Sequence, residues 1–169
     1  GVQAMNWRIE EKEAFEVVGI SRFFKNDESG KIPAWWDETY ADGSRLKLTE
    51  QLGYDDLIGV CYHIDEKADG FRYMIGLFVR ESADTSGFET IKIPKTTWAI
   101  FRSSGFADRN LMGSEIPKLF QRAYTEWLPS SGYDKTPGPD MEIYGITDGG
   151  ADGSVKFYEE VWLPVIKIT

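Results

Sequence analysis

Gly138-Pro139-Asp140-Met141-Glu142-Ile143-Tyr144-Gly145-Ile146 is the stretch around which the rest of the chain is organised. It opens on Pro-Gly-Pro, a turn signal, and continues as an alternating strand. Side chains alternate across a strand, so Met141 and Ile143 take one face and Glu142, Tyr144 and Ile146 the other. A carboxylate in the middle of an otherwise apolar strand makes Glu142 the least comfortable acid in the sequence, because burying a charge without a partner is costly. Two readings follow. Glu142 either meets water or a basic residue on a neighbouring strand, or lies beside Tyr144 in a cavity that takes a cationic or hydrogen-bonding ligand.

Outward from this strand, the chain reads as alternating elements. Trp7 to Glu13 is an edge strand and Phe15 to Phe24 a second strand, broken at Asn26 to Gly30. Ile32-Pro33 starts a helix, since proline in the first turn followed by acids is a start signature. Gly43 interrupts that helix and Gly53 closes it. Leu57 to His63 and Phe71 to Arg80 are strands, as are Phe88 to Ile93 and Thr97 to Ser103. Ile116-Pro117 begins a second helix, with Leu119, Ala123 and Trp127 on one face, ended by Pro129. After a turn-rich loop and the Glu142 strand comes a last strand, Val155 to Ile168. Pro164 places at least that end on an edge or at a bulge.

The order is β-β-α-β-β twice, and the letters repeat with it. Ile32-Pro33, Trp36 and Tyr40 recur as Ile116-Pro117, Phe120 and Tyr124, and Tyr73 and Phe78 as Phe157 and Trp162, each 84 positions on. The expected fold is α+β: two pseudo-two-fold β-α-β-β repeats, about 5–82 and 87–169, each an antiparallel sheet with a helix, in one domain spanning 5–169. At the same offset the counterpart of Glu142 is Ile58. An acid in one copy where the other has an apolar residue marks broken symmetry and favours the functional reading.

Composition narrows the function classes. The 169 residues are 41% hydrophobic and 14% aromatic, too apolar for disorder. A net charge of −9 opposes direct nucleic-acid binding. One cysteine, Cys61, and one histidine, His63, rule out a disulfide framework and a Cys/His metal cluster, so no metal or cofactor is expected. Phosphate-binding glycine loops and a nucleophile elbow are absent. With no membrane-length apolar run and no signal peptide, the chain reads as soluble and cytoplasmic. Gly1 to Ala4 are set aside as a leader.

The order of motifs in Glu126 to Ile146 (EWLPSSGYDKTPGPDMEIYGI) and Tyr158 to Val165 (YEEVWLPV) resembles the C-terminal half of the GyrI-like small-molecule-binding domain. This is the effector-binding domain of AraC-type and MerR-type multidrug regulators, also found as free-standing proteins. The nearest subgroup by these motifs is the integron-associated one that binds cationic drugs. The resemblance covers essentially the whole chain and implies an aromatic ligand cleft between the repeats, with Glu142 meeting a cationic or polar ligand. No helix-turn-helix precedes the domain here, so any DNA binding would come from another chain or segment.

An aromatic cage attracts a lipophilic cation through ring quadrupoles and apolar area. Strand phase nominates Tyr144, Tyr62, Tyr158 and Trp162 beside Glu142, with Trp36 from the first helix; core packing competes for each. A binding and sensing module is the first expectation. The resemblance implies a second, hydrolysis of strained electrophiles as in some members of that family, with Glu142, its pKa raised by desolvation, as general base. Gyrase-type inhibition of a partner protein is the third. A partner protein or a homodimer fits any of these.

Overall fold

In the computed structural model, which describes residues 4–168, nine strands and three α-helices follow in the order β1 (Asn6–Lys12), β2 (Phe15–Lys25), α1 (Ile32–Ala41), α2 (Ser44–Leu52), β3 (Ile58–Asp65), β4 (Gly70–Phe78), β5 (Glu89–Ile93), β6 (Thr96–Arg102), α3 (Ile116–Arg122), β7 (Tyr133–Lys135), β8 (Asp140–Ile146) and β9 (Phe157–Lys167). The class is α+β, with antiparallel strand pairs throughout the described pairings. Among the described residues no helix is long and apolar enough to cross a membrane.

The chain divides into two units. One runs from Glu13 to Lys95, and its strands lie in the order β5-β2-β4-β3. The other joins the residues up to Lys12 to those from Thr96 on, in the order β1-β6-β9-β8, with β7 beside β9. The two orders correspond place for place. Neither unit follows a sequence half, because β1 pairs with β6 and β5 pairs with β2.

In the Glu13–Lys95 unit, α1 and α2 cover one sheet face. Trp35 packs on Phe24, Tyr73 and Ile75, and Leu48 on Val18 and Leu77. The interruption expected at Gly43 is a full restart, giving two helices after a 3₁₀ turn over Asn26–Lys31. Gly43, at φ 81°, separates them, in a backbone region that a Cβ disfavours. Pro33 stands in the first turn of α1, where its missing N–H costs nothing.

In the other unit α3 lies over Ala99, Phe101, Val161 and Leu163. The helix expected to run through Leu128 changes type. From Ala123 to Trp127 it widens to a π-turn, closed by the Leu128 N–H on the Ala123 carbonyl, and a 3₁₀ turn containing Pro129 follows. The widened turn lays Trp127 edge-on against Phe101 and Trp7 and stacks it on Tyr133. Burying such side chains contributes about 1.5–3 kcal/mol each.

β1 is the outermost strand of its sheet, as expected. β9 corrects the expectation for Pro164, because it is an interior strand between β6 and β8. Its β8-side pairing ends at Trp162, and pairing with β7 begins at Val165. Pro164 falls in that gap, where its carbonyl accepts the Thr136 N–H at 2.9 Å and no ladder donor is required of it. The short strand β7, inside the expected 130–139 loop, supplies the pairing beyond the gap.

Candidate functional site

Three polar side chains descend one face of β8, namely Asp140, Glu142 and Tyr144. Glu142 pairs in register with Val161, and Val161 belongs to the core beneath α3. The Glu142 column therefore lies on the helix-covered face of its sheet. Glu142 is 6% exposed, and the Tyr144 hydroxyl donates to its Oε1 at 3.0 Å. Tyr144 packs against the α3 core.

At the head of the column Asp140 is ion-paired with Lys135, Nζ to Oδ1 2.9 Å. The Tyr124 hydroxyl, presented by the π-turn, donates to the other oxygen at 3.2 Å. Burial pushes the Asp140 carboxyl above the usual range, while Lys135 and Tyr124 pull the other way.

Beside Tyr144 in register stands Glu159, which is fully buried. Its carboxylate accepts the backbone N–H groups of Gly113 and Glu115, so it ties the loop before α3 to β9. Burial pushes its carboxyl up against those bonds. Glu160, the next residue, faces the other way and is 3% exposed. Its carboxylate accepts from Arg102 (2.7 Å), Arg8 (3.2 Å) and the Trp162 indole N–H (3.0 Å). Against the effect of burial, Trp162 and Arg102 hold its carboxyl below the usual range. Among the described residues Glu142 is thus one of three buried glutamates, and the least buried of them. The adjacent acids of Tyr158-Glu159-Glu160-Val161 were the missed signal, since neighbours in a buried strand must point to both faces.

Trp162 and Tyr158 lie on the Glu160 face, opposite Glu142. Lys12 stands over the Trp162 ring at 4.7 Å and Arg102 over the Tyr158 ring at 4.0 Å. A ring face that already holds a cation has less to offer another. In the Glu13–Lys95 unit, Trp36 lies on the helix-covered face and donates to the Tyr73 hydroxyl at 2.9 Å. Tyr62 is on the opposite face, with its hydroxyl on Glu89. Burial, then that carboxylate, raises the Tyr62 phenol. Ile58 shares the Tyr62 face, turned away from its unit's helices, so it is not the positional counterpart of Glu142.

The structure therefore joins Glu142 to Tyr144, and Trp162 and Tyr158 to a separate ionic cluster. Tyr62 and Trp36 occupy opposite faces of their own sheet. An open groove of about 520 Å³ in the Glu13–Lys95 unit is lined by other residues, among them Phe15, Arg80 and Lys92. Among the described residues no group of three or more His, Cys, Asp or Glu side chains is placed to hold a metal.

Comparison with known proteins adds the following. The model of the GyrI-like small molecule binding domain matches residues 5–166. The fold is similar to that of SAV2435 bound to tetraphenylphosphonium, at TM-score 0.70 and 19% identity over 96% of this chain and 94% of that one. It is similar to the Vibrio cholerae integron cassette protein VCH_CASS2, at TM-score 0.64 and 16% identity over 95% of each. The C-terminal domain of EcmrR matches at TM-score 0.54 and 14% identity, over 98% of this chain and all of that one. No curated protein sequence matches the chain.

Proposed function

Because the chain belongs to the GyrI-like small-molecule-binding family, we propose that the molecule it binds is a lipophilic cation, with Glu142 as countercharge and Tyr144 as the aromatic wall beside it. The observation that carries this reading is a glutamate 6% exposed, held by a tyrosine hydroxyl at the edge of the apolar core under α3. A carboxylate in that setting has lost much of its hydration, and a cation of low hydration restores favourable electrostatics at little desolvation cost. The Tyr144 hydroxyl fixes the carboxylate's orientation, and its ring offers a quadrupole to the same cation. Tetraphenylphosphonium, the ligand of SAV2435, has this chemistry and is the natural probe. Trp162 and Tyr158, on the opposite face of the sheet with Lys12 and Arg102 over their rings, stand outside this proposed site.

Isothermal titration with tetraphenylphosphonium and with neutral triphenylphosphine oxide tests the reading. The cation should bind with a dissociation constant on the order of micromolar, about −8 kcal/mol, and with a negative heat-capacity change. The neutral compound should bind at least about tenfold more weakly. Equal affinities, or no binding of either, would remove the cation reading.

A further inference from the structure

We propose that Arg45 and the ring of Tyr40 form a second small-molecule site, which takes an organic carboxylate carrying an aromatic body. The inference is independent of the reading of Glu142 and lies within the Glu13–Lys95 unit. Trp36 and Tyr40 stand four residues apart on α1 and so share a face. The turn between α1 and α2 sends Arg45 back across that pair. Gly43 takes its left-handed φ of 81°, the Asp42 carboxylate accepts the Ser44 N–H at 2.8 Å, and the Ser44 hydroxyl donates to the Thr39 carbonyl at 3.2 Å. The guanidinium carbon lies 5.6 Å from the Trp36 ring centre and 5.1 Å from that of Tyr40, within cation–π range of both. The Trp36 indole is itself fixed by its bond to the Tyr73 hydroxyl.

The rings balance part of the charge and accept no ordinary hydrogen bond. The Arg45 Nε–H is buried without a hydrogen-bond partner, and among the described residues no carboxylate stands within ion-pair distance of the guanidinium. Burial pulls the guanidinium below its ordinary pKa, and Asp37 and Tyr40 oppose this only through space. An arginine stays protonated in a protein, so this cation is partly stripped of water with no anion beside it. A planar carboxylate matches the guanidinium fork with two parallel N–H bonds. The Tyr40 residue is 75% exposed, so an aromatic body attached to that carboxylate finds ring surface to cover. Glu38, the acid after Asp37, is drawn to Arg22 at 3.9 Å. Repulsion from the rest of the chain's net charge of −9 is screened beyond about 8 Å at physiological salt, which leaves Asp37 as the local charge against which an anion binds.

Calorimetry and side-chain NMR on the full chain test the proposal, with naphthoate as the probe and naphthamide as its neutral isostere. Naphthoate should bind and should shift the Arg45 Nε–Hε resonance, assigned by its loss in Arg45→Lys. Naphthamide should bind at least about tenfold more weakly. Arg45→Gln should weaken naphthoate by about tenfold or more, and Arg45→Lys by about threefold or more, because the charge stays and the fork is lost. Tyr40→Ala, a change at an exposed position, should weaken it by about threefold or more. Circular dichroism melts confirm that each variant folds. The proposal is overturned if naphthoate leaves the Arg45 resonance unmoved, if Arg45→Gln binds naphthoate as tightly as wild type, or if acetate, which has no ring, shifts that resonance at the same concentration as naphthoate. Should Arg45→Gln not fold, the wild-type resonance and Tyr40→Ala decide. Tetraphenylphosphonium affinity should stay within about twofold of wild type in Arg45→Gln, as expected of independent sites. A parallel loss of both ligands would make them share one site and would overturn the proposal. A wild type that binds naphthoate at Arg45 and does not bind tetraphenylphosphonium rejects the Glu142 reading and upholds this one.

Discussion

Gly19→Ala should cost about 4 kcal/mol of stability and lower the melting temperature by roughly 8–16 °C. Gly19 sits inside β2, paired with Gly76 of β4 on one side and Glu89 of β5 on the other. A Cβ there would be driven into the Ile75 carbonyl oxygen and would stand 2.7 Å from the Gly76 Cα. Both obstacles are backbone, so no rotamer change relieves them. Either β2 or β4 must move, and both carry core residues, Val18 on one and Leu77 on the other. Gly30→Ala is the control, because nothing lies within 4 Å of the added carbon. It should stay within about 0.5 kcal/mol of wild type. If Gly19→Ala melts within 2 °C of wild type, the close approach of β2 and β4 is wrong.

Glu159→Gln should cost about 2–3 kcal/mol, a large loss for an isosteric change. The carboxylate offers an acceptor to each of two backbone N–H groups, at Gly113 and Glu115. A glutamine amide keeps one acceptor and turns a donor toward the other N–H, leaving two buried donors face to face. The damage should be local first. Amide hydrogen exchange at Gly113, Glu115 and the first turn of α3 should quicken, while exchange in β2 and β4 stays as in wild type. Unchanged exchange at Gly113 and Glu115 would show that Glu159 does not hold that loop.

These two positions also show where the sequence was readable. Gly19 lies in a run of strand formers, and nothing in its neighbours announces a carbonyl from Ile75, whose place is decided by long-range pairing. Glu159 and Glu160 are adjacent acids in an apolar strand, a visible anomaly, but Arg8 and Arg102 reach Glu160 from distant segments. The helix starts were legible because Pro33 and Pro117 act locally. The π-turn over Ala123–Trp127 was not, since the letters there have ordinary helical periodicity.

The Ile58 assignment failed for a definable reason. Ile58 pairs with Gly76, and at a constant offset of 84 Glu142 would pair with Glu160. It pairs with Val161. A slip of one residue moves a side chain to the opposite face of a sheet, so a letter-by-letter repeat located the strand correctly and its face wrongly. The grouping of Glu142 with Tyr144 survived because both lie on one strand, where alternation alone decides the face. Trp162 and Tyr158 share a face with each other for the same reason, but their relation to Glu142 depended on the β8–β9 register, which the sequence did not reveal.

The most direct measurement of the central claim is charge discrimination at Glu142 with two ligands of one shape, tetraphenylphosphonium and tetraphenylborate. Wild type should bind the cation and reject the anion. Glu142→Gln keeps side-chain volume and removes the charge, so cation affinity should fall about 10- to 100-fold, equivalent to about 1.5–3 kcal/mol, while the bias against the anion narrows. A folded Glu142→Gln protein that binds tetraphenylphosphonium as tightly as wild type would contradict the account and return Glu142 to a structural role in its sheet.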